Sequence, residues 1–429
     1  GKGWCDGDDV RIYPSASLVV AQYCLLKETN PAWDTNDWIY DQVRWGLDGT
    51  LSFLEKTGQL KYMLYSWGKG QEDATDGLFQ SGDETHLVPF HDQPATGNEY
   101  HRYLNHEVVQ SSLLIGPAEA VNTFFLKDPV FFGRVKQLLI TGYSNFLKKY
   151  PIHPAKYSLA SWVWLNVAMY KMTKDVKYKE MAIKEARRWM DIQVKEDYGN
   201  ETFKVKGWYR KEEGNINNPQ GEKPEQEVMI TPWIYQAMFR LLEAFPEHED
   251  AVLWKKSIAL YAKDYLAKMG ELNAYGFTHL KVGKNGISRK VGNLEYAYLG
   301  YQICRSFHQL GNAAYMMKAA NLLNDKSLKD AAWKQFYFFT GLNPLGIGLI
   351  NGFAYNELMR DVPRVIALNY AGGVSNGLRG ELEDYPSVNV FEYYTYANVN
   401  CLWMSQELGY KPDKSQLELW KRGIYESLA

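Results

Sequence analysis

Residues 155–196 read AKYSLASWVWLNVAMYKMTKDVKYKEMAIKEARRWMDIQVKE. Apolar residues recur at helical spacing on both sides of Thr173-Lys174-Asp175, which makes a tight joint. An Asp at such a joint is an N-cap, because its side chain accepts a backbone N–H that the first helical turn leaves without a partner. The passage therefore predicts a helical hairpin, 155–173 with 175–196. Lys127-Asp128-Pro129 repeats the arrangement between 103–126 and 128–149, and Phe245-Pro246-Glu247 and Leu310-Gly311-Asn312 read as breaks of the same kind.

Carried along the chain, the periodicity predicts about twelve helices. They fall at 14–29, 34–57, 103–126, 128–149, 155–173, 175–196, 226–246, 248–269, 292–310, 312–324, 327–341 and 389–408. Strand-like alternation is scarce. Six hairpins wound in sequence make an all-α, (α/α)6 barrel, a toroid whose long loops open on one rim. A length of 429 residues suggests two domains on size alone. The hairpins share one core and no Pro/Ser-rich linker divides them, so a single domain over 1–429 is expected.

The long non-helical segments are 58–102, 197–225, 270–291 and 342–388. Structureless stretches of that length are usually functional or disordered. These contain Tyr62, Tyr65, Trp67, Trp208, Tyr209, Tyr275, Phe277 and Tyr370 among Gly and polar residues. That composition suits the walls of a carbohydrate groove, with Trp67 and Trp208 as the expected sugar contacts; the alternative is that such aromatics pin the loops to the barrel. The chain holds 31 Tyr, 18 Phe and 14 Trp, 15% of its residues. An aromatic excess suits sugar rings, whose C–H faces stack on aromatic planes while Tyr and Trp keep a polar handle for hydroxyls.

Charge is nearly balanced at −2, and no Lys/Arg block is long enough to grip a phosphate backbone, which argues against nucleic acid as a partner. Cys5, Cys24, Cys304 and Cys401 show no metal-ligand spacing, and no metal or cofactor is expected. No apolar run reaches the roughly twenty residues that span a bilayer, so membrane insertion is not expected.

Two acidic features carry chemistry. Asp6-Gly7-Asp8-Asp9 puts carboxylates at i and i+3 on a sharp turn, where two acceptors can hold one water and mutual repulsion keeps at least one basic. A helix cap or a calcium loop are the plainer readings of the same turn. Glu392 stands near the other end, at the head of the expected last helix and among Phe391, Tyr393, Tyr394 and Tyr396. Aromatic packing raises a carboxyl pKa, as a general acid requires, whereas a helix N-terminus lowers it. An ordinary first-turn Glu is the alternative. The Asp cluster begins six residues from the start, which predicts a leader or accessory domain upstream.

At this point the residues resemble glycoside hydrolase family 9, the inverting cellulases and their relatives. Gly3-Trp4-Cys5-Asp6-Gly7-Asp8-Asp9 is similar to the family's Gly-Trp-Tyr-Asp-Ala-Gly-Asp signature. Arg44-Trp45-Gly46-Leu47-Asp48 resembles its second-helix pattern. Thr340-Gly341-Leu342-Asn343-Pro344-Leu345-Gly346, followed by Gly352-Phe353, resembles its Gly-x-Asn-Pro loop, and Asp384-Tyr385 with Asn389 the segment before its proton donor. The resemblance implies a β-glycosidic polysaccharide or oligosaccharide as substrate, Asp9 as base, Asp6 as its partner and Glu392 as acid. Asp8 is the reserve base or a substrate contact, Tyr396 a further contact, and the expected location is extracellular or periplasmic.

The chain departs from the family twice. The family writes Asn-Glu as neighbours, whereas Val390 follows Asn389 here and Glu392 comes two positions later. The family's His-His-Arg sugar-binding motif has no match, and within Val362-Pro363-Arg364 only Arg364 survives. Two rival readings follow: a non-catalytic carbohydrate-binding protein on a hydrolase fold, or another (α/α)6 enzyme such as a polysaccharide lyase.

Overall fold

The structure is a computed structural model that describes residues 10–57, 63–65, 107–149, 159–199, 204–209, 235–271, 274–278, 288–291, 294–297, 303–343, 346–350, 374–382, 385–393 and 395–409. Helices dominate: α1 (Tyr13–Thr29), α2 (Trp38–Thr57), α3 (Glu107–Phe124), α4 (Pro129–Lys149), α5 (Leu159–Thr173) and α6 (Val176–Asp191). There follow α7 (Ala237–Ala244), α8 (Ala251–Ala259), α9 (Ser306–Leu323), α10 (Lys326–Phe339) and α11 (Thr395–Glu407). A 3-10 turn, Pro31–Asp37, leads into α2, and α8 runs on as a π-helix, Leu260–Ala267, with a last turn at Lys268–Gly270.

The helices alternate between an inner ring and an outer layer. α1 packs on α3, α3 on α5, α5 on α7, α9 on α11, and α11 back on α1. Between α7 and α9 the link is Phe239 against Tyr315, ring centres 5.0 Å apart, and Glu243 bonded to Lys318 at 2.9 Å. Each of α2, α4, α6, α8 and α10 packs on the inner helix that precedes it. Six inner and five outer helices are described, where twelve were expected, and their packing is that of an (α/α)6 barrel. The inner helices are apolar nearly all round, as on α5, where every residue from Leu159 to Met169 is buried.

Local chemistry fixes the joints. Lys174 and Asn324 adopt left-handed backbone (φ 62° and 51°) and each is followed by an Asp. Asp175 accepts from the N–H of Lys177 at 3.1 Å, and Asp325 from that of Leu328 at 3.0 Å. Asp128 does the same for Phe131. Thus the caps expected at Asp128 and Asp175 are present, and the break expected between 324 and 327 is a joint of the same kind, capped by Asp325.

Pro117 lies inside α3 and has no N–H to give the carbonyl of Leu113. Ser17 of α1 replaces it, its Oγ–H donating to Leu113 O at 3.0 Å while its oxygen accepts from the N–H of Gly116 at 2.8 Å. Only a glycine permits this approach, since a Cβ at 116 would come 2.1 Å from the Ser17 carbonyl oxygen.

Three expectations need correction. The break at Leu310-Gly311-Asn312 does not exist, because α9 runs unbroken through it; a single helical Gly costs only about 1 kcal/mol, less than the burial of its neighbours Leu310, Ala313 and Ala314 supplies. The helix expected at 292–310 is in its first part strand: β5 (Ser288–Val291) pairs with β6 (Leu294–Ala297). β7 (Ile303–Arg305) leads directly into α9. Lastly, 389–393 is not helix. β8 (Ser375–Leu382) and β9 (Tyr385–Tyr393) form a sheet with β7 in the order β7-β8-β9, and α11 starts only at Thr395. Two smaller pairs complete the strands described: β1 (Val10–Ile12) with β2 (Met63–Tyr65), and β3 (Tyr198–Gly199) with β4 (Lys204–Val205). Among the described residues no helix is long and apolar enough to cross a membrane.

Candidate active site

The two rims of the ring are unequal. Inner helices pass to outer ones through short joints, at 30–37, 125–128, 174–175, 245–250 and 324–325, whereas each return from outer to inner helix is longer, at 58–106, 150–158, 192–236, 271–305 and 340–394. All the longer connectors therefore end at the heads of inner helices. α1 and α11 run in the same direction, for Gln406, near the end of α11, donates to Thr29 Oγ1 at the end of α1 at 2.6 Å. Their heads, Tyr13 and Thr395, consequently share one rim.

Both acidic segments lead into those heads. Asp6, Asp8 and Asp9 lie outside the described residues, but the chain leaves Asp9 into β1 and then α1. β1 pairs with β2 in the register Val10↔Tyr65, Arg11↔Leu64, Ile12↔Met63, which straps this entry to the segment that continues to Trp67. Trp67 and Arg364 also lie outside the described residues. Tyr396 belongs to the first turn of α11.

Glu392 is not the first-turn helix residue that was expected. It lies on β9, three positions before α11, so the helix-dipole argument does not apply to it. The ladder pairs Gly377 with Asn389, Leu378 with Val388 and Arg379 with Ser387, then resumes at Ser375 with Tyr393. Asn376 alone therefore faces Val390, Phe391 and Glu392, and β9 carries two residues more than its partner at this point. A bulge leaves its extra residues outside the ladder and bends the strand. The offset between Asn389 and Glu392 is taken up here.

Trp208 requires a different correction. Its side chain is 1% exposed and stands 5.8 Å from the Tyr265 ring, in the core. Its carbonyl accepts from Val194 N–H at 2.9 Å, and Gly207 beside it (φ 103°) lies so close to the π-helix that a Cβ would meet the Leu260 carbonyl at 2.1 Å. Tyr209 is also buried, 4.7 Å from Trp189, with its hydroxyl bonded to Ser257 at 3.0 Å. Burial pushes the Tyr209 phenol well up. These aromatics pin the connector to the barrel and offer no open face to a sugar.

Below the heads, toward the short joints, a charged network crosses the ring that the sequence reading missed. Glu119 of α3, 1% exposed, accepts from Trp164 Nε1 of α5 at 2.7 Å and lies 3.4 Å from the Arg240 guanidinium of α7. Arg240 also bonds Glu28 of α1 at 2.9 Å and Glu243 at 2.7 Å, and Lys318 of α9 joins Glu243 at 2.9 Å to Glu407 of α11 at 3.9 Å. Burial would lower the Arg240 pKa, but the three carboxylates outweigh it and raise it. Glu243 and Glu28 are held below the ordinary carboxylate range, since Lys318 and Arg240 for the one and Arg240 and Lys171 for the other overcome the opposing effect of burial. Glu407 goes up because burial prevails over Lys318 and the indole N–H of Trp403. All six inner helices are thus tied together at the end of the barrel opposite the heads. The signal lay in α7, where Arg240 and Glu243 interrupt an apolar octet.

An open cleft of about 640 Å³ lies on the outer layer, lined by residues including Lys206, Lys263, Asp264 and Lys334. Lys206 is paired with Asp197 at 3.1 Å and Lys263 with Asp325, so part of its charge is compensated within the protein. Among the described residues no group of His, Cys, Asp and Glu side chains could hold a metal ion.

Comparison with solved structures places this arrangement. A glycoside hydrolase family 9 endoglucanase, J30, matches with a TM-score of 0.64 at 13% identity, over 96% of this chain and 74% of that one. A metagenome-derived endoglucanase of the same family matches with 0.62 at 15% identity, over 94% and 70%, and the cellulase Cel9M of C. cellulolyticum with 0.56 at 14%, over 95% and 86%. The chain shares their fold. No family model matches the sequence, and no curated protein matches it either. The likeness is one of fold, at 13–15% identity.

Proposed function

We propose that this chain is a glycoside hydrolase that cleaves β-glycosidic bonds of a glucan-like polysaccharide or oligosaccharide with inversion. Two observations support the reading: the helix heads at Tyr13 and Thr395 share one rim, each reached in sequence from an acidic segment, and the bulge at Val390–Glu392 matches in length the offset of the proposed acid from Asn389. The likeness in fold to endoglucanases supports the same substrate class. In this mechanism Asp9, helped by Asp6, takes a proton from water as the water oxygen attacks the anomeric carbon. Glu392 gives its proton to the departing glycosidic oxygen, so that one water is consumed and two sugar ends are released. Inversion requires roughly 6.5–9.5 Å between the two carboxyls. Asp8, Trp67, Arg364 and Tyr396 are assigned to substrate contact, Arg364 because a guanidinium offers five fixed donors to hydroxyls or a carboxylate. Secretion of the protein fits a polymeric substrate and belongs to the same proposal.

Proton NMR of fresh product tests the reading. The α-anomer must appear first, and initial β-product would sink the assignment. Asp9→Asn should abolish most turnover while circular dichroism and thermal midpoint stay as in the parent.

A further inference from the structure

We infer that Asn398 is a positioning residue for the acid Glu392, an inference that rests on the function proposed above. Asn398 lies in α11, and its Oδ1 accepts from the backbone N–H of Val374 at 3.2 Å. Val374 is fully buried, bridges Ile350 across the base of the 351–373 connector, and opens directly into β8. The next residue, Ser375, pairs with Tyr393, the immediate neighbour of Glu392. A small closed circuit results: Tyr393 to Asn398 along the chain, Asn398 to Val374 by a hydrogen bond, and Ser375 back to Tyr393 across the sheet.

The circuit matters because of the bulge. Val390, Phe391 and Glu392 face one residue of β8, so the ladder cannot fix their course. Their path is set by the pairs that flank them, Gly377↔Asn389 on one side and Ser375↔Tyr393 on the other. The second pair is the last of the ladder, and terminal pairs open most readily. The Asn398 amide fastens that end to α11, and so fixes the angle at which β9 delivers Glu392 to the helix head. Asn398 is itself exposed. An acceptor suffices for this bond: Asp can replace Asn, and Ala cannot.

The test compares Asn398→Ala, Asn398→Asp and Glu392→Gln in the full chain, on a soluble cellulose derivative and on dinitrophenyl β-cellobioside. The second has a leaving group that departs without protonation, so it is indifferent to the acid. Misplacing a reacting group by about 1 Å costs on the order of a hundredfold. For Asn398→Ala we expect kcat on the polymer to fall roughly tenfold or more at unchanged KM, kcat on the aryl substrate to stay within about twofold, and Asn398→Asp to recover the polymer rate. A purely structural Asn398 would instead lower both rates together, or change only the thermal midpoint, and either result overturns the inference. If Glu392→Gln discriminates between the substrates and Asn398→Ala does not, the inference alone fails. If Glu392→Gln does not discriminate, the function proposed above fails with it.

Discussion

Gln22 of α1 donates to Gln406 of α11 at 3.4 Å, across 384 positions of sequence. Gln22 also accepts at 3.0 Å from Nε2 of Gln236, the residue just before α7, so the amides continue across the ring. The Gln22–Gln406 contact sets α1 beside α11, the first and last of the described helices.

Ser17 and Pro117 should behave as a pair. Ser17→Ala leaves the Leu113 carbonyl buried without its donor and should cost about 1–3 kcal/mol. In a Pro117→Ala background the helix regains its own N–H for that carbonyl, so the same change should cost clearly less. Equal costs in a double-mutant cycle from urea unfolding would show the two sites to be independent.

Arg240→Met should be severe. It leaves Glu119 buried with its guanidinium gone, and breaking a buried pair on one side typically costs about 3–5 kcal/mol. Glu119→Gln added to Arg240→Met should recover part of that loss. A urea midpoint that does not move for Arg240→Met would count against the network's role in stability.

Glu243 and Glu407 should respond oppositely to pH. The Glu243 carboxyl is held down, so its stabilisation is present above the unfolded carboxylate value of about 4.3 and is lost as pH falls through its lower folded value. The Glu407 carboxyl is pushed up, so its contribution is complete below about 4.3 and is lost as pH rises through its folded value. Glu243→Gln should therefore lower the thermal midpoint at neutral pH, with the difference shrinking in acid. Glu407→Gln should raise it at neutral pH and fade in acid likewise. Two differences of the same sign across the titration would contradict this.

Trp208 should matter to stability and not to sugar affinity. Trp208→Ala should cost about 3–5 kcal/mol through the cavity it opens. Trp208→Phe should fold and keep the parent KM on a soluble cellulose derivative. A raised KM in Trp208→Phe would return the side chain to the groove.

Much of the frame could be read from the residues because hairpin joints carry local signals. Asp128 and Asp175 cap helices for reasons contained within a few neighbouring residues, and apolar spacing shows which faces are buried. The strands were harder. Gly292-Asn293 between paired Val291 and Leu294 is a two-residue hairpin signal that the helical reading overran. Glu392 looked like a helix head because Tyr393-Tyr394-Thr395-Tyr396 continues without a break in composition; only pairing with β8, a partner distant in sequence at its near end and close at its far end, makes it strand. The network around Arg240 escaped because isolated helical charges read as solvated, and only closure of the ring buries them. Trp208 was misread for the reverse reason, as an aromatic in a long connector can face inward as easily as outward.

The unequal rims bear on how this scaffold could be altered. Its floor is a set of charges contributed by every inner helix, so a change there disturbs several partners at once. The opposite side carries the longer connectors, and three of them have a local anchor among the described residues: a short strand pair at Val10–Ile12, Gly207 seated on the π-helix, and Ile350 meeting Val374. An engineer seeking new substrates could graft connectors between anchors and leave the foundation alone.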